Sequence, residues 1–172
     1  EPGLSCEGAA SCTVVESFGR EDCPVNIGSF PLVPGGEQPP CTWSCSSPET
    51  LGAYGLASPC TLNDQVSLTG DLSITGRENV HTTITAASGK RHFHIASGQS
   101  HTLTLKWLNL TGGSQAAGSG GSVYLEGPGT LNATHCLFVS NHAKDGGSIY
   151  GSSSSSIMLY HTNVTKSTAS DW

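Results

Sequence analysis

Charge is scarce in this chain: 12% of its 172 residues are Asp, Glu, Lys or Arg, and only 7 are Lys or Arg. Phosphate binding requires clustered basic side chains, so a nucleic-acid partner is excluded. Long apolar runs are missing too. Nothing approaches the ~20 consecutive residues that span a bilayer as a helix, and the start has neither the basic nor the apolar region of a signal peptide. The chain begins at Glu1 without a methionine and reads as a mature product after signal removal. Proline and cysteine are nearly absent from the second part, because eight of nine prolines and six of seven cysteines lie at or before Cys60. Beyond that point no helical period of apolar residues is found, which excludes an α-helical core.

What is present divides the chain in two. Residues 1–60 hold seven acids against Arg20 alone, whereas residues 61–172 hold six acids and six bases, so the whole net charge of −6 sits in the first segment. That segment is Pro/Gly/Ser-rich and has too little apolar periodicity to build a core. Cys6, Cys12, Cys23, Cys41, Cys45 and Cys60 are therefore read as a disulfide framework, which implies an oxidising, extracellular compartment. Six cysteines allow many pairings, and the sequence does not choose among them. Cys41-x3-Cys45 has a spacing acceptable for zinc, but no second close Cys/His pair follows it, so no metal site is expected.

From Thr61 onward, short runs of alternating β-formers separated by glycine predict an all-β architecture: Val66–Leu68, Leu72–Ile74, Thr82–Ile84, His92–Ile95 and Leu103–Leu105. Internal repetition selects a solenoid over a sandwich. Gly120-Gly-Ser-Val-Tyr124 recurs 26 residues later as Gly146-Gly-Ser-Ile-Tyr150. The same offset pairs Leu131 with Ile157, Ala133 with Leu159, His135 with His161 and Phe138 with Val164. An offset of 28 residues carries the pattern back to Leu103, Leu108 and Leu110, with the two extra residues assigned to a loop at Gly112–Ser119. A coil of this length buries its apolar face only by stacking on a copy of itself.

The stretch Cys136-x-Phe138-Val-Ser-Asn141-x-Ala143-x-x-Gly146-Gly-Ser-Ile149 resembles the FxxN and GGA[I/V/L] repeats of the chlamydial polymorphic outer-membrane proteins and similar secreted β-helix proteins of bacteria, algae and protists. The resemblance covers the coils from about His92 on. It departs from the pattern at Ser122 and Ser148, where the family usually has Ala. Leu110-Thr-Gly-Gly113 and Val164-Thr-Lys-Ser167 are degenerate counterparts of FxxN. The resemblance implies a right-handed parallel β-helix with an adhesive or surface role; it does not imply an enzyme. Within it, Phe138, Val164 and Leu110 are expected to form an interior ladder, the glycine pairs to allow tight corners or close backbone approach, and Asn141 to satisfy backbone groups at a bend.

Three sequons stand out: Asn109-Leu-Thr111, Asn132-Ala-Thr134 and Asn163-Val-Thr165. Period-two alternation points all three asparagines outward, and the repeat offsets place Asn109 and Asn163 in one column two rungs apart. His92 and His94 are expected to be outward residues flanking inward Phe93 and Ile95, without a third metal ligand. His135 over His161, and Tyr124 over Tyr150, are expected to form surface ladders. Cys136 is read as a buried small hydrophobe, with a bond to a spare cap cysteine or between subunits as the alternative.

Enzymes on this fold need paired carboxylates or an acidic calcium cluster. Asp64, Asp71, Glu78, Glu126, Asp145 and Asp171 are scattered singly; only Asp145 and Asp171 share a rung position, and no base accompanies them. A polysaccharide lyase or glycosidase is thus the weakest reading, and no cofactor is expected. The expectation is a secreted, N-glycosylated parallel β-helix (61–172) behind a disulfide-rich cap or joint (1–60). Its role would be structural, in a surface appendage, filament or matrix, with a carbohydrate-binding adhesin as the alternative. Because the next Gly-Gly step is due at Trp172, the last rung is expected either to continue into a longer β-helix or to stack head to tail on another subunit.

Overall fold

The computed structural model describes residues 42–170. Among them there is no helix, and every strand pairing is parallel. The chain winds as a β-solenoid of about four turns. The first coil holds β1 (Gly52–Gly55), β2 (Cys60–Thr61) and β3 (Val66–Ser67); the second holds β4 (Leu72–Thr75), β5 (Thr82–Thr85) and β6 (Phe93–Ile95). The third holds β7 (Thr102–Lys106), β8 (Leu108–Thr111), β9 (Ser114–Ser119) and β10 (Val123–Leu125). The fourth holds β11 (Thr130–Thr134), β12 (Leu137–Val139), β13 (His142–Asp145) and β14 (Ile149–Gly151). A fifth, incomplete coil contributes β15 (Ser156–Tyr160), β16 (Asn163–Thr165) and β17 (Thr168–Ala169).

Four stacked sheets result: β1-β4-β7-β11-β15, β2-β5-β8-β12-β16, β9-β13-β17 and β3-β6-β10-β14. Alternation along each strand sends one set of side chains inward, so like positions stack from coil to coil. Ile74, Leu105 and Ala133 form one buried ladder, Ile84, Leu110 and Phe138 a second, and Val66, Phe93 and Val123 a third. Each large apolar member contributes roughly 1.5–3 kcal/mol. The registers Leu131–Leu103, Leu131–Ile157, Phe138–Leu110 and Phe138–Val164 are those read from the repeat.

Two expectations are corrected. The ladder starts upstream of Thr61, because Gly52–Gly55 pairs with Leu72–Thr75, and Tyr54 and Leu56 are already buried. Upstream of it, Thr42 bridges Gly55, and the Trp43 ring packs 6.1 Å from Phe93. Gly112–Ser119 is not simply a loop: Ser114–Ser119 is strand β9, and the two extra residues are absorbed as a register shift opposite Ala143–Asp145. A bulge accommodates surplus residues without ending the pairing.

Corners are made by left-handed residues in register. His81, Trp107, His135 and His161 have φ of 59°, 53°, 51° and 47° between the first and second sheets. Gly112, Ser140 and Lys166 do the same at the next corner, and Gly120 and Gly146 before the β10–β14 sheet. Gly121 and Gly147 serve close approach: a Cβ on Gly121 would collide with the carbonyl oxygen of Gly147, and one on Gly147 with the backbone of Thr168.

Candidate functional site on the outer ladders

The sequon asparagines lie where alternation puts them. Asn109 pairs with Leu137 and Leu137 with Asn163, so the two acceptors share a column two rungs apart, about 10 Å along the axis at ~4.8 Å per rung. Asn109 and Asn132 are half-buried between flanking strands; Asn163 is exposed at the last one. The Nδ2 of Asn109 donates to Thr83 Oγ1 at 3.3 Å, while the Oδ1 atoms of Asn109 and Asn132 are covered and have no hydrogen-bond partner.

Beside that column runs an aromatic stack longer than the expected His135–His161 pair. His135 lies 4.9 Å from His161 with planes 9° apart, and 4.0 Å from Trp107 with planes 5° apart; His81 follows at 5.6 Å from Trp107. The corner forces this arrangement, since four left-handed residues in register project their side chains in the same direction. The signal was present in the spacing of His81, Trp107 and His135, but the mixed residue types concealed it.

A second outer ladder runs along the β6–β10–β14 sheet. His94 stacks on Tyr124 at 5.3 Å, and Tyr124 meets Tyr150 edge to face at 5.6 Å. His94 Nε2 lies 3.2 Å from Glu126 Oε2. Burial, the largest influence, lowers the His94 pKa from the ordinary imidazole value against the raising effect of Glu126. At neutral pH the pair is therefore a neutral imidazole donating Nε2–H to a carboxylate. The Arg91 guanidinium lies over Tyr124, its Cζ 4.8 Å from the ring centre.

His92 corrects the outward assignment. It is fully buried, and its Nε2–H donates to the Ile84 carbonyl at 3.0 Å while Nδ1 accepts from Ser122 Oγ at 2.9 Å. Alternation fails here because the amides of both His92 and Phe93 bond the single carbonyl of Ser122, placing two residues opposite one. The same step recurs where Ser122 and Val123 both bond the Ser148 carbonyl. Both serines of this column have buried partners: Ser122 serves His92, and Ser148 Oγ accepts from Asn141 Nδ2 at 3.1 Å. Asn141 satisfies backbone groups at the bend, accepting from Gly113 N–H at 2.8 Å and donating to the Leu110 carbonyl at 3.1 Å. Burial pushes the His92 pKa down to about 4.

Cys45 and Cys60 form a disulfide, Cα to Cα 5.8 Å, across a sequence separation of 15 residues. A loop of that size corresponds to roughly 3 kcal/mol of stabilisation in the chain-entropy model. Cys6, Cys12, Cys23 and Cys41 lie outside the described residues, as does Asp171. Cys136 is a free, fully buried thiol whose pKa burial raises to about 11; that position is incompatible with a bond between subunits in the folded state.

The acids have separate partners. Asp64 pairs with Lys90 at 3.0 Å, Asp71 Oδ1 accepts from Thr102 N–H at 2.7 Å, and Asp145 Oδ2 accepts from Ser119 Oγ at 3.2 Å. Among the described residues no three His, Cys, Asp or Glu side chains gather to hold a metal ion, and no helix is long and apolar enough to cross a membrane. Comparison of the chain with family models, with curated proteins and with solved structures gives no match.

Proposed function

We propose that this chain is a non-enzymatic, N-glycosylated structural element of an extracellular filament, appendage or matrix, built by axial stacking of β-coils. The observation that carries this reading is the axial stacking itself, in which each coil covers its apolar face only against the next coil in register. Ile157, Leu159 and Val164 are 41%, 44% and 46% exposed, although their counterparts one rung back, Leu131, Ala133 and Phe138, are buried. These side chains and the rim at Gly147, Ile149 and Ala169 enclose an open apolar recess of about 420 Å³. Covering each large side chain with another coil would contribute about 1 kcal/mol, and the free strand edges would gain backbone hydrogen bonds at the same time.

Such an end accepts only a coil of similar cross-section, supplied by continuing chain or by a neighbouring subunit. The Cys45–Cys60 disulfide and the outward sequons support an oxidising, extracellular setting. Glycans at Asn109 and Asn163 would stand in one line along the axis and keep that flank solvated, directing assembly to the ends.

Negative-stain electron microscopy of the native protein, with intact mass before and after glycan removal, tests the reading. Regular fibres bearing glycan mass are expected. Dispersed monomers without glycan would overturn it.

A further inference from the structure

Arg91 occupies the step where the following coils carry Gly121 and Gly147, and its side chain reaches out over the β10 strand. It is only 8% exposed, yet its sole hydrogen bond among the described residues runs from Nε to the Gly120 carbonyl at 3.3 Å. Among the described residues no carboxylate forms an ion pair with it and no protein group accepts from its terminal Nη atoms. Those nitrogens are not among the fully covered, unpartnered atoms, so they reach solvent and stand open to an acceptor from outside the chain. The groups facing it are Tyr124 and Glu126, and Glu126 Oε1 remains free because Oε2 is held by His94. Arg91 and Glu126 cancel in charge, which disfavours an anionic ligand and suits one that carries both donors and acceptors.

Aromatic surface adjoins this pair. Tyr150 is turned 62° from the plane of Tyr124, and no other ring among the described residues stacks on it. Rungs about 4.8 Å apart also match, within a few tenths of an ångström, the length of one residue in an extended β-1,4-linked sugar chain. We propose that Arg91, Glu126 and Tyr150 bind a neutral polysaccharide laid along the solenoid axis. Arg91 Nη–H donates to sugar oxygens, Glu126 Oε1 accepts from a hydroxyl, and the Tyr150 ring packs against the C–H face of a pyranose. This site goes beyond the filament reading and does not depend on it.

Isothermal titration calorimetry of the full chain with cellohexaose and mannohexaose, and with trigalacturonate as the acidic probe, tests the site. One of the neutral probes is expected to bind, with affinity reduced about tenfold or more in R91Q and in E126Q. Glu126 is exposed enough that E126Q keeps the fold, so the test stands even where R91Q does not fold. K106Q, on another sheet, is expected to bind as the parent does. Absence of binding to both neutral probes, undiminished binding by E126Q, or binding of trigalacturonate alone would overturn the proposal. Each of these leaves the fibre and glycan-mass result untouched.

Discussion

The indole of Trp107 lies flat on the imidazole of His135, with ring centres 4.0 Å apart and planes 5° from parallel. Both residues hold positive φ, a conformation that costs an L-residue about 1–2 kcal/mol. The stack offsets that strain, and the two effects can be separated by substitution. His135→Ala loses the ring and keeps the strain; His135→Gly loses both. Urea denaturation is expected to show each variant destabilised by about 1–2 kcal/mol, with the glycine variant the more stable by about 0.5–1 kcal/mol. A glycine variant clearly less stable than the alanine one would rule out strain at this corner.

His92 makes stability pH-dependent. Its folded pKa of about 4 lies below the ordinary value of 6.5, so between the two the unfolded chain binds the extra proton. Stability is therefore full above about pH 6.5 and falls as the pH drops toward 4, by up to about 3 kcal/mol. Denaturation series from pH 7.5 to 4 on the parent and on His92→Gln are expected to show a shallower slope in the variant. Equal slopes would mean that His92 is not the titrating group.

Asn141 satisfies the Gly113 amide and the Leu110 carbonyl at a buried bend. Asn141→Ala leaves both without partners and is expected to cost about 2–4 kcal/mol. Ser148→Ala removes only the Oγ acceptor and is expected to cost less. The ranking, read from thermal melting, checks the assignment.

Cys136 should resist thiol reagents in the folded state, because its thiol is buried and its pKa is raised to about 11. Labelling of Cys136 by an aromatic disulfide reagent, located by peptide mapping, is expected to be slow in buffer and fast in denaturant. Rapid labelling of the native protein would place this residue at a surface.

The fifth coil gives the sharpest test of assembly. Val164→Asp puts a charge into the open recess, where Val164 is 46% exposed and water can still reach it. Circular dichroism is expected to remain that of the parent, with melting changed by less than about 1 kcal/mol, while fibres disappear from micrographs. Fibres formed as readily by this variant would show that the coil end is not the joint.

The repeat of Gly120–Tyr124 at Gly146–Tyr150, with period-two alternation, made the third, fourth and fifth coils legible down to single pairings such as Phe138 with Val164. Earlier coils escaped because the offset changes within one turn. Leu72 pairs with Leu103, 31 residues on, whereas Thr82 pairs with Leu108, 26 on. The corner between β4 and β5 is long, whereas Trp107 alone makes the one between β7 and β8. A fixed-offset comparison cannot follow a corner that changes length.

By itself, the sequence determined the all-β class, the parallel stacking and the column shared by Asn109 and Asn163, because alternation and repeat length are properties of the chain that survive folding. Only the tertiary structure decided that His92 faces inward, that Cys45 pairs with Cys60, that His81, Trp107, His135 and His161 form one stack, and that Arg91 lies over Tyr124. Those features depend on bulges, corner conformations and approaches between residues distant in sequence. Their energies arise only once neighbouring coils are in contact.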